Sequence, residues 1–248
     1  MVKEALTLCI LSVFLSFFCV TQSIANNWSN RLSVGVGRAV VGETKTITIS
    51  KTPAPGLTNT YETNGDANAS FYISYTGGYN FDLRKEIELS LGAEVGYLNY
   101  GSNDGIVKPF VNDSDDYDVV GYNYNSQSYM LSTYAKLLWK RGNWQPFALG
   151  GIGIAYNHLG GYTEVGINGS SGGPSPYGFR DHIRSDLAYN VGLGLRRAIN
   201  DTMAIELSYR YINTGKGELG TSSIQTTNQK LDSILLKTHL LVLSVSFS

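Results

Sequence analysis

The stretch Ile87-Glu88-Leu89-Ser90-Leu91-Gly92-Ala93-Glu94-Val95-Gly96-Tyr97 changes character at every residue. Its odd positions are apolar or aromatic and its even positions are Glu, Ser or Gly. As a β-strand it has one greasy face and one small or polar face; a helix would scatter both sets around its axis. The period recurs along the chain. Leu32, Val34 and Val36 oppose Ser33, Gly35 and Gly37; Phe71, Ile73, Tyr75 and Tyr79 oppose Tyr72, Ser74 and Thr76. Tyr129, Leu131, Thr133, Ala135 and Leu137 oppose Met130, Ser132, Tyr134 and Lys136. Leu187 to Leu195, Met203 to Tyr211 and Leu241 to Phe247 repeat the alternation. Phe147 to Tyr156 adds a further strand, in which Gly150-Gly151 leaves either face apolar and a bulge would switch the parity.

Eight strands are thus predicted, near residues 31–41, 69–79, 86–98, 128–138, 145–157, 186–196, 203–212 and 235–247. The connections after the first, third, fifth and seventh are long, about 27, 29, 28 and 22 residues by subtraction. Those after the second, fourth and sixth are short, about 6 residues each. Large side chains lie on one face and Gly, Ser and charges on the other. These features predict an all-β chain: an eight-stranded antiparallel up-and-down transmembrane barrel with four long external loops and three short periplasmic turns. Closure follows because every unpaired backbone amide or carbonyl in hydrocarbon costs several kcal/mol, roughly the price of a lost hydrogen bond in an apolar medium.

The composition fits. Of 248 residues, 28 are Gly and 17 Tyr, and only 16% are charged, against roughly a quarter in ordinary soluble chains. A net charge of −1 leaves no basic footprint for nucleic acid. No stretch after Ala25 approaches the ~20 apolar residues of a spanning helix. At the N-terminus, Lys3 precedes an apolar run from Ala5 to Val20, and Ser23-Ile24-Ala25 has the small-x-small pattern of a cleavage site. Residues 1–25 are read as a cleaved signal peptide and 26–248 as the outer-membrane barrel. Cys9 and Cys19 would leave with the signal, and the mature chain would hold no thiol.

The polar face carries Glu88, Glu94 and Glu206 against Lys136, Arg196 and Arg210. An eight-stranded interior is just wide enough for side chains to fill, so these six are expected to pair as a polar network in the lumen. Arg196 and Glu206 flank a short turn within cross-strand reach, and Glu88 and Lys136 share the periplasmic end of neighbouring strands. Aromatics fall at strand ends: Phe81, Trp139, Trp144 and Phe247 on the periplasmic side, and Tyr97, Tyr100, Tyr156 and Tyr211 on the outer side. Two such girdles mark a transmembrane barrel.

Pro146-Phe147-Ala148-Leu149-Gly150-Gly151-Ile152-Gly153, Glu206-Leu207-Ser208-Tyr209-Arg210-Tyr211 and the closing Leu241-Val242-Leu243-Ser244-Val245-Ser246-Phe247 give the chain its family likeness. It resembles the opacity-type and OmpA-transmembrane-like surface antigens of Gram-negative bacteria, small outer-membrane barrels. The resemblance implies residence in the outer membrane among its lipid and lipopolysaccharide. It also implies insertion by the outer-membrane assembly machinery, which reads a final strand ending in an aromatic. Here Phe247 is penultimate and Ser248 follows.

Catalytic constellations are not legible. The histidines are His158, His182 and His239. His239 is followed by Leu240-Leu241, without the His-x-Ser spacing of lipid A deacylases. Asp181-His182 is similar to the Asp and His of outer-membrane proteases, but the pair sits in a Gly/Ser/Pro-rich loop and the barrel has too few strands. The chain is therefore read as a non-enzyme that needs no cofactor. Asp113, Asp115, Asp116 and Asp118 are a weak candidate for calcium; they lack the Gly and Glu of an EF-hand loop and read as a solvated acidic loop. The alternation of Lys45 to Lys51 predicts a hairpin rising above the membrane, while Asn168 to Gly178 is rich in Gly, Ser and Pro. Any specificity for a host surface protein or glycan must reside in these external loops. The expected role is a structural or adhesive surface protein. A small channel or lipid-handling barrel is the alternative, and an outer-membrane hydrolase a more remote one.

Overall fold

The computed structural model describes residues 27–42, 44–48, 56, 58–63, 68–108, 120–166, 179–221 and 229–247. The signal segment, Asp113 to Asp118, the Gly/Ser/Pro-rich stretch and Ser248 lie outside them. Ten strands run β1 (Trp28–Val41), β2 (Thr44–Thr48), β3 (Thr58–Thr63), β4 (Asn68–Arg84), β5 (Ile87–Lys108), β6 (Val120–Trp139), β7 (Gln145–Gly166), β8 (His182–Ala198), β9 (Met203–Leu219) and β10 (Leu231–Phe247). Eight of them close a ring in the order β5-β4-β1-β10-β9-β8-β7-β6, sealed by β5 against β6. Every adjacent pair is antiparallel, and Asn30 opposite Phe247 shows the first strand zipped to the last.

The remaining two strands extend the wall outward. β4 pairs with β5 as far as Phe71 opposite Asn99. Above that, β3 takes over the same edge, with Thr63 opposite Gly105 and Thr60 opposite Lys108. β2 pairs with β3, and its Lys45 ammonium bonds the Asp232 carboxylate and the Lys230 carbonyl beside β10. The hairpin predicted from Lys45 to Lys51 therefore stands in the barrel wall, in line with β1 and β4 below it.

The strands are longer than the alternation implied. β5 and β7 each have 22 residues and β6 has 20, whereas crossing a bilayer takes about 9–11. Residues 99–108, 120–127 and 158–166, assigned to external loops on sequence, are strand. At ~3.4 Å per residue and a tilt near 40°, a 22-residue strand rises roughly 55 Å, about twice the ~25 Å apolar band. The barrel consequently has a membrane zone and an aqueous zone.

The two zones have opposite polarity. In the membrane zone Leu131, Leu193, Leu207 and Leu241 face outward and are exposed, Leu193 at 67%, while Glu, Arg, Ser and Thr face in. In the aqueous zone most outward positions are polar, among them Thr46, Ser102, Asp104, Asn123, Asn125 and Thr163, with Val165 and Ile183 as exposed exceptions. There the interior packs Ile47, Tyr61, Val107, Tyr122, Tyr124, Leu159, Phe179, Leu219, Leu231 and Leu236. Tyr162 lies 5.2 Å from Phe179 and 5.7 Å from Tyr122, ring centre to ring centre. The expectation that greasy residues point outward along the whole chain is corrected here. Where water replaces lipid outside, the hydrophobic effect drives apolar side chains inward. Tyr100 follows the same logic: it was placed in the outer girdle but is fully buried in the lumen.

Glycine effects the switch. Gly101 in β5 (φ 78°), Gly161 in β7 (φ 66°) and Gly215 in β9 (φ 81°) occupy the left-handed region, each on an outward-running strand at the zone boundary. A bulge there inserts one extra residue and flips the alternation. In β5 the buried positions are Leu98 and Tyr100 below Gly101, then Asn103 and Val107 above it. No such switch occurs at Gly150-Gly151, whose pairing with β8 is unbroken. Phe147 and Leu149 consequently point inward, where they pack with Tyr134 and Leu138 at the periplasmic end.

Candidate functional site

In the membrane zone the lumen is occupied by an ion-paired network built on Glu94. This carboxylate accepts hydrogen bonds from Tyr72 (3.0 Å), Thr76 (3.0 Å), the Arg210 guanidinium (3.0 Å) and the Arg31 guanidinium (3.3 Å). Neither Arg210 nor Glu94 exposes more than 1% of its side chain. A second carboxylate, Glu206, holds Lys136 at 2.6 Å, Arg31 at 3.5 Å and Arg196 at 3.9 Å. Tyr134 stacks beneath Arg31, 4.3 Å from its guanidinium carbon, and accepts its Nη1 hydrogen bond at 2.5 Å. Toward the periplasm, Glu88 meets Lys140 at 2.7 Å and Arg196 at 3.9 Å. Lys140 lies just past β6. Burial pulls its ammonium down, but Asp82 and Glu88 outweigh it and hold the group above the ordinary lysine range.

All six charges predicted for the lumen lie inside the ring, but two details differ. Lys136 pairs with Glu206 rather than Glu88, because the lumen is narrow enough for the long ammonium stem to span from β6 to β9, three strands away around the ring. Arg31 was missed altogether. It shares the inward parity of Ser33 and Gly35 but stands at the predicted start of the first strand, where alternation has only one side to read. With it, four cations (Arg31, Lys136, Arg196, Arg210) meet three carboxylates (Glu88, Glu94, Glu206). No ion in this space could stay unpaired cheaply.

Above this network Ser128 joins Tyr100, Asn157 and Thr214 through hydrogen bonds of 2.5–3.3 Å. Above that again lies the apolar core of the aqueous zone. A cavity of about 20 Å³ between Arg31, Glu88, Tyr134, Lys136 and Arg196 has room for about one water. Among the described residues, side chains fill the lumen at each of these levels, as an eight-stranded ring allows.

The histidines stand apart. His182 contacts Glu218 at 2.8 Å at the outer rim, and Glu218 also binds Arg184 (3.1 Å) and Lys230 (2.7 Å). Asp181 is bound instead by the Gly161 amide and lies 3.9 Å from His158. The Asp181-His182 pair therefore shares no common site, since neighbouring residues in an extended chain point to opposite faces. His239 is on the outer wall. The Asp113, Asp115, Asp116 and Asp118 group lies outside the described residues.

A closed ring of eight strands, with an apolar belt outside and paired ions within, defines a transmembrane barrel of the outer-membrane type. Residues 10–248 match the outer membrane protein beta-barrel domain; the chain belongs to that family and resides in the bacterial outer membrane. Among solved structures it is similar to neisserial surface protein A (10% identity, covering 88% of this chain and 96% of that one, TM-score 0.45). It is also similar to OprG from Pseudomonas aeruginosa (14%, 88% and 96%, 0.47) and to the outer membrane protease OmpT from Escherichia coli (8%, 92% and 99%, 0.49). No curated protein sequence matches the chain.

Proposed function

We propose that this barrel is a non-enzymatic surface protein that presents a rigid binding rim above the membrane. The observation that carries this reading is the second, water-surrounded zone with its own apolar core. A barrel serving only to cross the bilayer needs no strands of 20–22 residues. Extending them fixes the outer connections on a stiff support, which reduces the entropy lost when a partner binds. The packed, ion-paired lumen weighs against a channel.

The test is a binding comparison. Intact barrel, refolded in detergent, is applied to arrayed host matrix proteins and glycans beside a variant whose segments 49–57, 109–119, 167–178 and 222–228 are replaced by short Gly/Ser linkers. Retained binding by the intact barrel and its loss in the variant is the expected result. Equal binding by both would remove the rim from the account, and steady single-channel conductance would favour the channel instead.

A further inference from the structure

Cations on the outer wall are distributed unevenly. On each strand, consider the first outward side chain above the last aliphatic or aromatic one of the belt. On β5, β6 and β7 it is Asn99, Gln127 and His158, following Tyr97, Tyr129 and Tyr156. On β1 it is Arg38, between Val36 and the half-exposed Val40; on β10 it is His239 and then Lys237, following Leu241. β9 adds Lys216, exposed beside Leu235 of β10.

The register gathers these residues. Arg38 stands directly opposite His239, and Lys237 opposite Val40, one pleat above. Directly opposed side chains sit about 5 Å apart at Cβ and diagonal ones about 7–8 Å, within reach of a single phosphate for an Arg and a Lys. His239 is fixed between two rings of β9. Its Nδ1 lies 2.5 Å from the Tyr209 hydroxyl, and its ring centre 5.1 Å from that of Tyr211. Nε2 is left for an outside partner.

Among the cations of the barrel's outer half, pairing state sets these apart. Lys45, Lys108, Arg184 and Lys230 each hold a carboxylate. Among the described residues, no carboxylate pairs with the side chain of Arg38, Lys216 or Lys237, although Asp186 accepts from the Lys216 backbone amide at 2.8 Å. Positive charges at the edge of a hydrocarbon belt, without an internal counter-ion, attract anionic headgroups at that depth. Guanidinium and ammonium groups together suit phosphate oxygens, the guanidinium through paired N–H donors. Directly below, Val36 (63% exposed), Val34, Leu241 and Leu243 form an open aliphatic surface toward the membrane centre.

We propose that Arg38, Lys237 and His239, with Lys216 above them, bind the phosphorylated headgroup of an outer-leaflet glycolipid whose acyl chains lie along Val34, Val36, Leu241 and Leu243. The site belongs to one wall, β9-β10-β1, so bound lipid orients the barrel's surroundings asymmetrically. It involves none of the rim residues assigned to partner binding.

The test uses full-length barrel refolded in detergent, with binding of diphosphorylated lipid A read by native mass spectrometry. Heat-dependent gel mobility first establishes that each variant is folded. Expected results are a loss of roughly tenfold in R38Q/K237Q, near-full retention in the charge-keeping R38K/K237R, and little change in K108Q at the upper end of β5, two strands from β1 and outside the patch. Dephosphorylated lipid A binds the native chain as weakly as the R38Q/K237Q variant binds the intact lipid. Equal lipid A binding by R38Q/K237Q and the native chain overturns the proposal. So does a matching loss in K108Q, which would mean a diffuse charge effect. Displacement of the lipid by millimolar inorganic phosphate also overturns it, by reassigning the site to a free anion.

Discussion

Replacing Glu94 by Gln destabilises the folded barrel by about 3–5 kcal/mol, the usual cost of removing one partner from a buried ion pair. Among the described residues, Glu94 is the only carboxylate on Arg210, at 3.0 Å, and one of two on Arg31. Glutamine keeps the volume and can still accept from Tyr72 and Thr76, so the loss reports charge rather than a cavity. Arg210, 1% exposed, then carries an uncompensated buried charge. The companion variant E94Q/R210M removes both charges. It recovers much of the loss, because replacing a buried pair by apolar groups of similar size is often neutral or better. Reversible urea unfolding in lipid vesicles, followed by tryptophan fluorescence, gives all three stabilities. A cost under ~1 kcal/mol for E94Q, or no recovery in the double variant, would show that the pair is not buried in the sense described.

Arginine placed at Leu193 costs about 2–4 kcal/mol, the penalty for a basic side chain on the lipid face near the bilayer midplane. Leu193 is 67% exposed in the middle of the belt on β8. The same residue placed at Asn123, also outward and exposed but in the aqueous zone of β6, changes stability by less than about 0.5 kcal/mol, as surface substitutions do. Both sites are exposed strand positions, so exposure alone predicts equal effects; only the solvent outside differs. The same unfolding assay measures both. Equal costs at the two positions would mean that the wall meets one solvent along its whole length.

The membrane zone was readable because lipid outside and paired ions inside put contrasting residue types on alternate positions, as in Ile87 to Tyr97. Ring closure and strand order followed from that contrast and from the short turns. The aqueous zone was hidden for a physical reason. Its outward residues are mostly polar, Asn, Ser and Thr among them, while its inward ones are tyrosines and aliphatics, so the alternation continues with reversed sign. Seen beside the belt, the reversal looks like the end of a strand. The signal that could have revealed it is the set of lone glycines, Gly101, Gly161 and Gly215, each followed by renewed alternation of opposite phase, as with Ser102, Asp104 and Ile106 against Asn103, Gly105 and Val107. In the lumen network, residue type and parity placed six charges, but partner choice depended on which strands a side chain can reach across the ring. Lys136 reaches Glu206 of β9 rather than its neighbour on β5, and local spacing carries no information about that crossing.

The central claim, a single wall that passes from lipid to water while its interior passes from ionic to apolar, is tested most directly along β6. Spin labels are attached to single cysteines at the outward positions 123, 125, 127, 129, 131, 133, 135 and 137 of the mature barrel in vesicles. Power-saturation measurements then compare collisions with oxygen and with a water-soluble nickel complex. The account predicts oxygen-dominated collisions from 129 to 137 and nickel-dominated ones at 123 and 125, with the crossover near Gln127. Lipid-like accessibility continuing to 123, or water-like accessibility already at 131, would contradict it.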